Sequence, residues 1–345
     1  RDLIDAEVKV IEDQGVKIEY NTRAGKPTDL LKDYDAVLMA IGRMEGSRLP
    51  IDGNSLPGVI LCSDFLRNAS MHKETGMGKK VLVLGGGNVA FDCARTARRL
   101  GADEVHLVCR KARDAMRADE EEVTLAEEEG IFLHTGRTFE KVVGEDKVTG
   151  AVFMNITSYT YDENGRPNIV KDPDSAHLIE GDTVIFAVGM RPDLGDDFDL
   201  EIGRAKSIAV KDMEKDLRTS AEGIFAAGDC VYGTKSVIKA IASGREAASE
   251  IDKFLGGDGD ISEVLAPVVE RKPYIGSEEG FAYVERRHNQ FEPVANRCDN
   301  FCLTDHGLSS EDACTEAGRC LQCDLRLDIS KPRLWGDFSD TGKEA

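Results

Sequence analysis

Val81-Leu82-Val83-Leu84-Gly85-Gly86-Gly87-Asn88-Val89-Ala90-Phe91-Asp92 is the stretch on which the fold turns. Four apolar residues, two of them β-branched, have the pattern of a buried parallel strand. A tight glycine run follows, then a helical pattern from Val89 to Leu100 that stops at Gly101. Gly85-x-Gly87-x-x-Ala90 fits the dinucleotide fingerprint. Gly85 permits the tight turn, Gly87 lets backbone approach a pyrophosphate, and Ala90 lets the helix pack on the strand. The helix N-terminus then faces the phosphates with free N–H groups, and Gly86, Asn88 and Val89 join the expected cofactor-binding set. A second strand, Val105-His106-Leu107-Val108, follows at the right distance.

The end of that second strand reads the adenosine ribose. A carboxylate there accepts from the 2′-OH of NAD, whereas cations accommodate the 2′-phosphate of NADP. Here the chain runs Cys109-Arg110-Lys111-Ala112-Arg113, without an acid. Arg110 and Lys111 therefore predict NADP(H) over NAD(H).

The 345 residues allow two domains. A net charge of −20 argues against nucleic acid. No apolar run approaches the ~20 residues of a membrane span, and no basic-then-apolar leader opens the chain. Of nine cysteines, five lie between Cys298 and Cys323. That is no disulfide scaffold in a chain this long, and it predicts a reducing, cytoplasmic setting with metal binding late in the chain.

In order, residues 1–14 read as a helix with Leu3, Ile4, Val8 and Ile11 on one face, and residues 16–20 alternate as a strand. Residues 35–42 form a buried strand running into Gly42, and residues 43–78 suit a crossover. The nucleotide unit runs from Lys79 to about Val143, with a helix over 118–129 and a strand over 131–134. A β-meander follows, with its turn at Asn164-Gly165. Residues 182–192 repeat the strand-to-glycine pattern of 35–42, ending at Gly189. Two such strands bracketing one nucleotide unit imply a domain inserted into another. Next comes Gly223-Ile224-Phe225-Ala226-Ala227-Gly228-Asp229, then a helix from Val237 to Phe254. Asp229 can accept a ribityl hydroxyl, and the helix start after Ser236 can face a flavin carbonyl, although Gly-Asp is also an ordinary turn.

The motifs GGGNVAxDxA, the basic strand end, AVGxRP, GIFAAGD and SVIKAIASGREAA, taken in this order, resemble the small subunit of glutamate synthase and the NADPH-linked flavoproteins built on it. The match spans roughly residues 1–255 and 286–327. The resemblance implies an α/β fold with two dinucleotide-binding, Rossmann-like domains, the nicotinamide domain inserted in the FAD domain. It implies that Gly85, Gly87, Asn88 and Ala90 contact the nicotinamide dinucleotide, with Arg110 and Lys111 on its 2′-phosphate. Gly228, Asp229, Ser236 and Val237 contact FAD, and Gly189 joins the cofactor-binding set at its crossover. Family members open with a first glycine fingerprint for FAD, and this chain shows none. The expected layout is a FAD-domain remnant over 1–45, a crossover over 46–78, an NAD(P)H-binding domain over 79–181, the C-terminal half of the FAD domain over 182–256, and an extension over 257–345. Thioredoxin-reductase relatives carry Cys-x-x-Cys in the nicotinamide domain, whereas this one has Cys93 and Cys109, which read as core thiols.

In the extension, Cys298, Cys302, Cys320 and Cys323 form two close pairs, the second inside an EAxRCLxC run that resembles the cluster-holding segment of the glutamate synthase group. Four thiolates suit an iron–sulfur cluster, or alternatively a closed zinc site. His288 and His306 read as solvated loop residues. The expected function is hydride exchange between NADPH and FAD, with electrons passing through iron–sulfur centres to partner subunits that carry iron–sulfur or flavin centres. Alternatives are glutamate synthase proper and a non-catalytic scaffold. Hydride transfer between two cofactor rings needs no acid–base residue, so none is named.

Overall fold

The computed structural model describes residues 2–163, 167–262, 280 and 283–320. The chain begins with α1 (Asp2–Asp13), α2 (Pro27–Leu30), β1 (Val37–Met39) and β2 (Glu45–Gly46). It continues through β3 (Val59–Leu61), α3 (Cys62–Ser70), β4 (Lys80–Leu84), α4 (Asn88–Arg99), β5 (Glu104–Val108), α5 (Glu120–Glu128) and β6 (Phe132–His134). Strands β7 (Arg137–Val143), β8 (Gly150–Tyr161), β9 (Pro167–Lys171), β10 (His177–Glu180), β11 (Thr183–Phe186), β12 (Met190–Arg191) and β13 (Ile224–Ala226) follow. The helices α6 (Asp229–Tyr232), α7 (Val237–Phe254), α8 (Val294–Arg297) and α9 (Ser310–Gly318) come last.

Two compact units result. One joins residues 1–48 with 188–262. The other joins 49–187 with the described residues beyond 262.

The second unit is built on a parallel sheet in the order β3-β11-β4-β5-β6. Val81 to Leu84 and Thr183 to Phe186 are buried along their whole length, as strands covered on both faces must be. Helices α3 and α4 cover the sheet with Phe65, Phe91, Ala94 and Ala97. β5 and β6 extend from β4 to one side, β11 and β3 to the other. The strand order therefore reverses at β4, and Gly85 stands at that switch point, where α/β sheets bind ligands. An antiparallel sheet, β10-β8-β7 with β9 also on β8, completes the unit.

Strand 183–186 corrects one expectation. It pairs in parallel with β4 on one side and β3 on the other, so it belongs to the second unit and not with residues 188–256 as expected. The chain returns to the first unit after Ala187. The segment expected as a plain crossover likewise supplies β3 and α3, with Cys62 and Phe65 in the core. The crossovers themselves are β2 and β12, paired antiparallel with Met190 opposite Gly46 and Arg191 opposite Glu45.

In the first unit β1 and β13 pair in parallel. Ile224, Ala226, Cys230, Val231, Ile208 and Leu200 form its core. Residues 16–20 are not a strand, because their alternation has no described strand beside it to take up their N–H and C=O groups. α1 forms as its periodicity predicts, yet buries none of its residues. The expected Asn164-Gly165 turn lies outside the described residues; the strands flanking it, β8 and β9, pair antiparallel.

Candidate functional site

Each position of the glycine turn has its own steric reason. The Gly85 N–H donates to Val108 O at 2.9 Å. A Cβ on Gly85 would lie 2.3 Å from the Ala187 carbonyl oxygen and 3.1 Å from the Ala90 Cβ. One on Gly86 would lie 2.8 Å from the Cys109 Cβ. Gly87 differs, for a Cβ there would meet nothing within 4 Å. The first two glycines are required by the protein's own packing, whereas the third faces open space at the N-cap of α4. The carbonyl of Gly87 accepts from Ala90 N–H at 2.8 Å. The N–H groups of Asn88 and Val89, ahead of the first intrahelical bond, point out of the helix end. Ala90 is wholly buried against the sheet. The Asn88 side chain is tied to the start of α5, donating to Asp119 Oδ2 at 2.8 Å and accepting from Asp119 N–H at 3.0 Å. Its side chain is thereby committed to the protein.

At the end of β5 the three cations part company. The Arg113 guanidinium is held in two forks, on Glu120 at 2.7 Å and on Glu127 at 2.9 Å, and both carboxylates raise its pKa. Arg110 and Lys111 have no carboxylate within ion-pair distance among the described residues. Arg110 instead lies over the Phe139 ring at 5.1 Å. In a chain of net charge −20, two adjacent cations without counter-ions among the described residues leave a locally positive strand end. Cys109 is buried and its thiol is pushed up to about 11 by desolvation. Cys93 is wholly buried, and burial raises it further. Cys62, which the sequence reading did not single out in this unit, is likewise buried and raised. Thiols held protonated in a core are poor nucleophiles, which agrees with their reading as core residues.

The other turn lies in the first unit, where β13 runs into Gly228 (φ +74°), with open space where a Cβ would stand. Its N–H donates to Ser243 Oγ at 3.0 Å. A cleft of about 370 Å³ opens here, lined by Gly228, Asp229, Tyr232, Lys239, Ser243 and Met213 among others. Asp229 Oδ1 accepts from Lys235 N–H at 3.3 Å. Ser236 caps α7, its hydroxyl accepting from Lys239 N–H at 3.3 Å. Val237 stands exposed at the start of that helix. Gly189 (φ +121°) accepts from Ser47 N–H at 2.8 Å in the crossover ribbon.

Arg43 is a residue that sequence reasoning missed. Its guanidinium donates to Asp229 O at 2.9 Å, Met190 O at 3.0 Å and Ser207 Oγ at 2.6 Å. It thereby fastens the crossover to the Gly228-Asp229 turn. The only sequence signal was its place directly after the strand-to-glycine pattern.

In the extension Cys298 is half-buried, and Cys302 and Cys320 are exposed. Cys323 lies outside the described residues. Among the described residues no three His, Cys, Asp or Glu side chains stand in metal-holding geometry. His306 is paired with Glu292 at 2.9 Å. Beside Cys298, Arg297 is buried, 2.6 Å from Glu128 and 3.2 Å from Glu129. Glu129 also receives Arg95 at 2.9 Å and Arg99 at 3.2 Å. The extension is thus fastened to α4 and to the end of α5.

Two turns of this kind on parallel α/β sheets define the class of two-dinucleotide-domain proteins. The chain belongs to the pyridine nucleotide-disulphide oxidoreductase family, whose model matches residues 3–244. It is 34% identical over 341 residues to the NADP(+)-dependent formate dehydrogenase subunit beta of Moorella thermoacetica, covering 94% of this chain and 47% of that one. It is also 34% identical over 266 residues to the glutamate synthase [NADPH] small chain of Halomonas elongata, covering 71% of this chain and 56% of that one. The chain spans about half the length of the curated relatives it matches. Among solved structures, FprA from Mycobacterium tuberculosis has the same fold, with TM-score 0.56 and 20% identity over 67% of this chain and 66% of that one. Among the described residues no helix is long and apolar enough to cross a membrane.

Proposed function

We propose that this chain is the NADPH-linked, FAD-dependent oxidoreductase subunit of a multisubunit redox enzyme. The observation that carries the reading is the pairing of an open glycine, Gly87, at a helix start with two cations at the neighbouring strand end, Arg110 and Lys111, that have no carboxylate partner among the described residues. The helix start suits a pyrophosphate and the cations suit a 2′-phosphate. When bound, NADPH supplies a hydride and FAD accepts it. The chain's own residues bind and orient. Gly86, Asn88 and Val89 offer N–H groups to the pyrophosphate. Gly228 and Asp229 line the cleft for FAD, Arg43 holds their turn in place, and Ser236 caps the helix that faces it.

Relatives named as beta or small subunits of larger enzymes support the assembly with other redox subunits. We assign Cys298, Cys302, Cys320 and Cys323 to an iron–sulfur centre. Zinc would satisfy the same thiolates but has no redox chemistry. The experiment is to mix the FAD-loaded complex anaerobically with NADPH or NADH and follow the flavin absorbance. Rapid bleaching by NADPH and slow bleaching by NADH is expected, and no bleaching by either would refute the proposal.

A further inference from the structure

The antiparallel sheet is joined by hydrogen bonds to the loop that follows β5. Its first strand starts at the basic end of β5, where Gly136 N–H donates to Lys111 O at 3.2 Å and Arg137 N–H to Cys109 O at 3.0 Å. Ile156 N–H donates to Gly136 O at 2.8 Å and brings β8 to the same place. β8 then runs on to Tyr159 and Tyr161, whose rings meet edge to face with centroids 5.6 Å apart. Phe139, packed edge-on against the buried Phe153, carries Arg110 on its face. Lys111 hydrogen-bonds the Tyr161 oxygen and the Arg110 charge acts on Tyr159, so two cations with no carboxylate partner among the described residues interact with two tyrosines of another strand.

We propose that Tyr161 is a specificity-determining residue for NADP(H), its hydroxyl donating to the 2′-phosphate beside Arg110 and Lys111 while Tyr159 backs it. This inference rests on the nucleotide reading above and adds a residue from outside the nucleotide-binding βαβ unit. Tyr161 is 52% exposed, so its ring stands at the surface. The Tyr159 hydroxyl and the Lys111 ammonium both face the Tyr161 oxygen and draw its phenol below the usual range. A phenol polarised by two donors is itself a better donor, and a phosphate dianion is the acceptor that profits most. NAD(H) has no group at that point, so the contact discriminates between the two cofactors.

The test is equilibrium titration of the intact chain with NADP+ and, separately, NAD+, for the native protein and for Tyr161→Phe. Tyr161→Phe removes one oxygen from a half-exposed ring and leaves the packing in place. Its NADP+ affinity should fall about tenfold, as for loss of one hydrogen bond to a charged group, with NAD+ affinity unchanged. An unchanged NADP+ affinity, or equal losses for both dinucleotides, overturns the assignment while leaving the nucleotide site standing. If the native chain binds neither dinucleotide, the nucleotide reading fails and this inference with it.

Discussion

Arg297 and Glu129 meet 3.2 Å apart with both side chains out of solvent, although 168 positions separate them in the chain. Glu129 answers three guanidinium groups at once, those of Arg95, Arg99 and Arg297. Removing one partner of a buried ion pair strands the other, at a cost of about 3–5 kcal/mol. Glu129→Gln keeps the shape and removes the charge. It should lower the stability of the nucleotide unit by about that amount, read by denaturant unfolding. Arg297→Ala should instead release residues 283–320, seen as faster amide exchange there while the parallel sheet stays protected.

The glycine turn separates packing from binding. Gly85→Ala forces a Cβ to 2.3 Å from the Ala187 oxygen, so it should destabilise the fold by about 1–3 kcal/mol, the range for overpacking. Gly87→Ala meets open space and its φ of −109° suits any residue, so the unfolding midpoint should stay nearly unchanged. Dinucleotide binding should nonetheless weaken at least tenfold, because the new methyl occupies the approach to the pyrophosphate. Parallel unfolding and titration curves for the two variants test this contrast.

His134 gives the fold a pH dependence. Burial, then the neighbouring His106 ring, whose Nδ1 lies 3.0 Å from its Nε2, lowers its pKa from 6.5 to about 4. Between those values the unfolded chain binds a proton that the native one refuses. Stability is therefore full above pH 6.5 and falls as the pH drops toward 4. His134→Gln, which cannot titrate, should flatten that slope in unfolding midpoints measured across the window.

The cysteine extension should bind metal. Anaerobic purification followed by iron, sulfide and zinc analysis should find iron with acid-labile sulfide. Cys320→Ser should lose it while NADP+ binding persists. One zinc per chain without sulfide would exclude a redox role for this segment.

The Gly85–Ala90 turn and the helix from Val237 to Phe254 were legible in the sequence because their signals are local: an apolar run, glycine spacing, a serine cap. The place of Thr183–Phe186 was not, since its apolar pattern suits any buried strand and only pairing with β3 and β4 assigns it to the nucleotide unit. Residues 16–20 alternate as a strand should, yet a strand needs a neighbour, and alternation does not supply one. The burial of Arg297 could not be read from a polar tail, because its counter-ions Glu128 and Glu129 lie far upstream. Arg43 escaped for the same reason, its acceptors being carbonyls and a hydroxyl 147 to 186 residues away. Local chemistry could be read from the chain, whereas long-range pairing of strands and charges required the fold.

The central claim is a dinucleotide on the Gly85–Ala90 turn with its 2′-phosphate on Arg110 and Lys111. The most direct measurement is calorimetric titration of the native protein and of Arg110→Ala with NADP+ and with NAD+. The account predicts tighter NADP+ than NAD+ binding by the native protein. Arg110→Ala should lose at least tenfold for NADP+ and change little for NAD+. Tighter native binding of NAD+, or equal losses for the two cofactors in the variant, would contradict it.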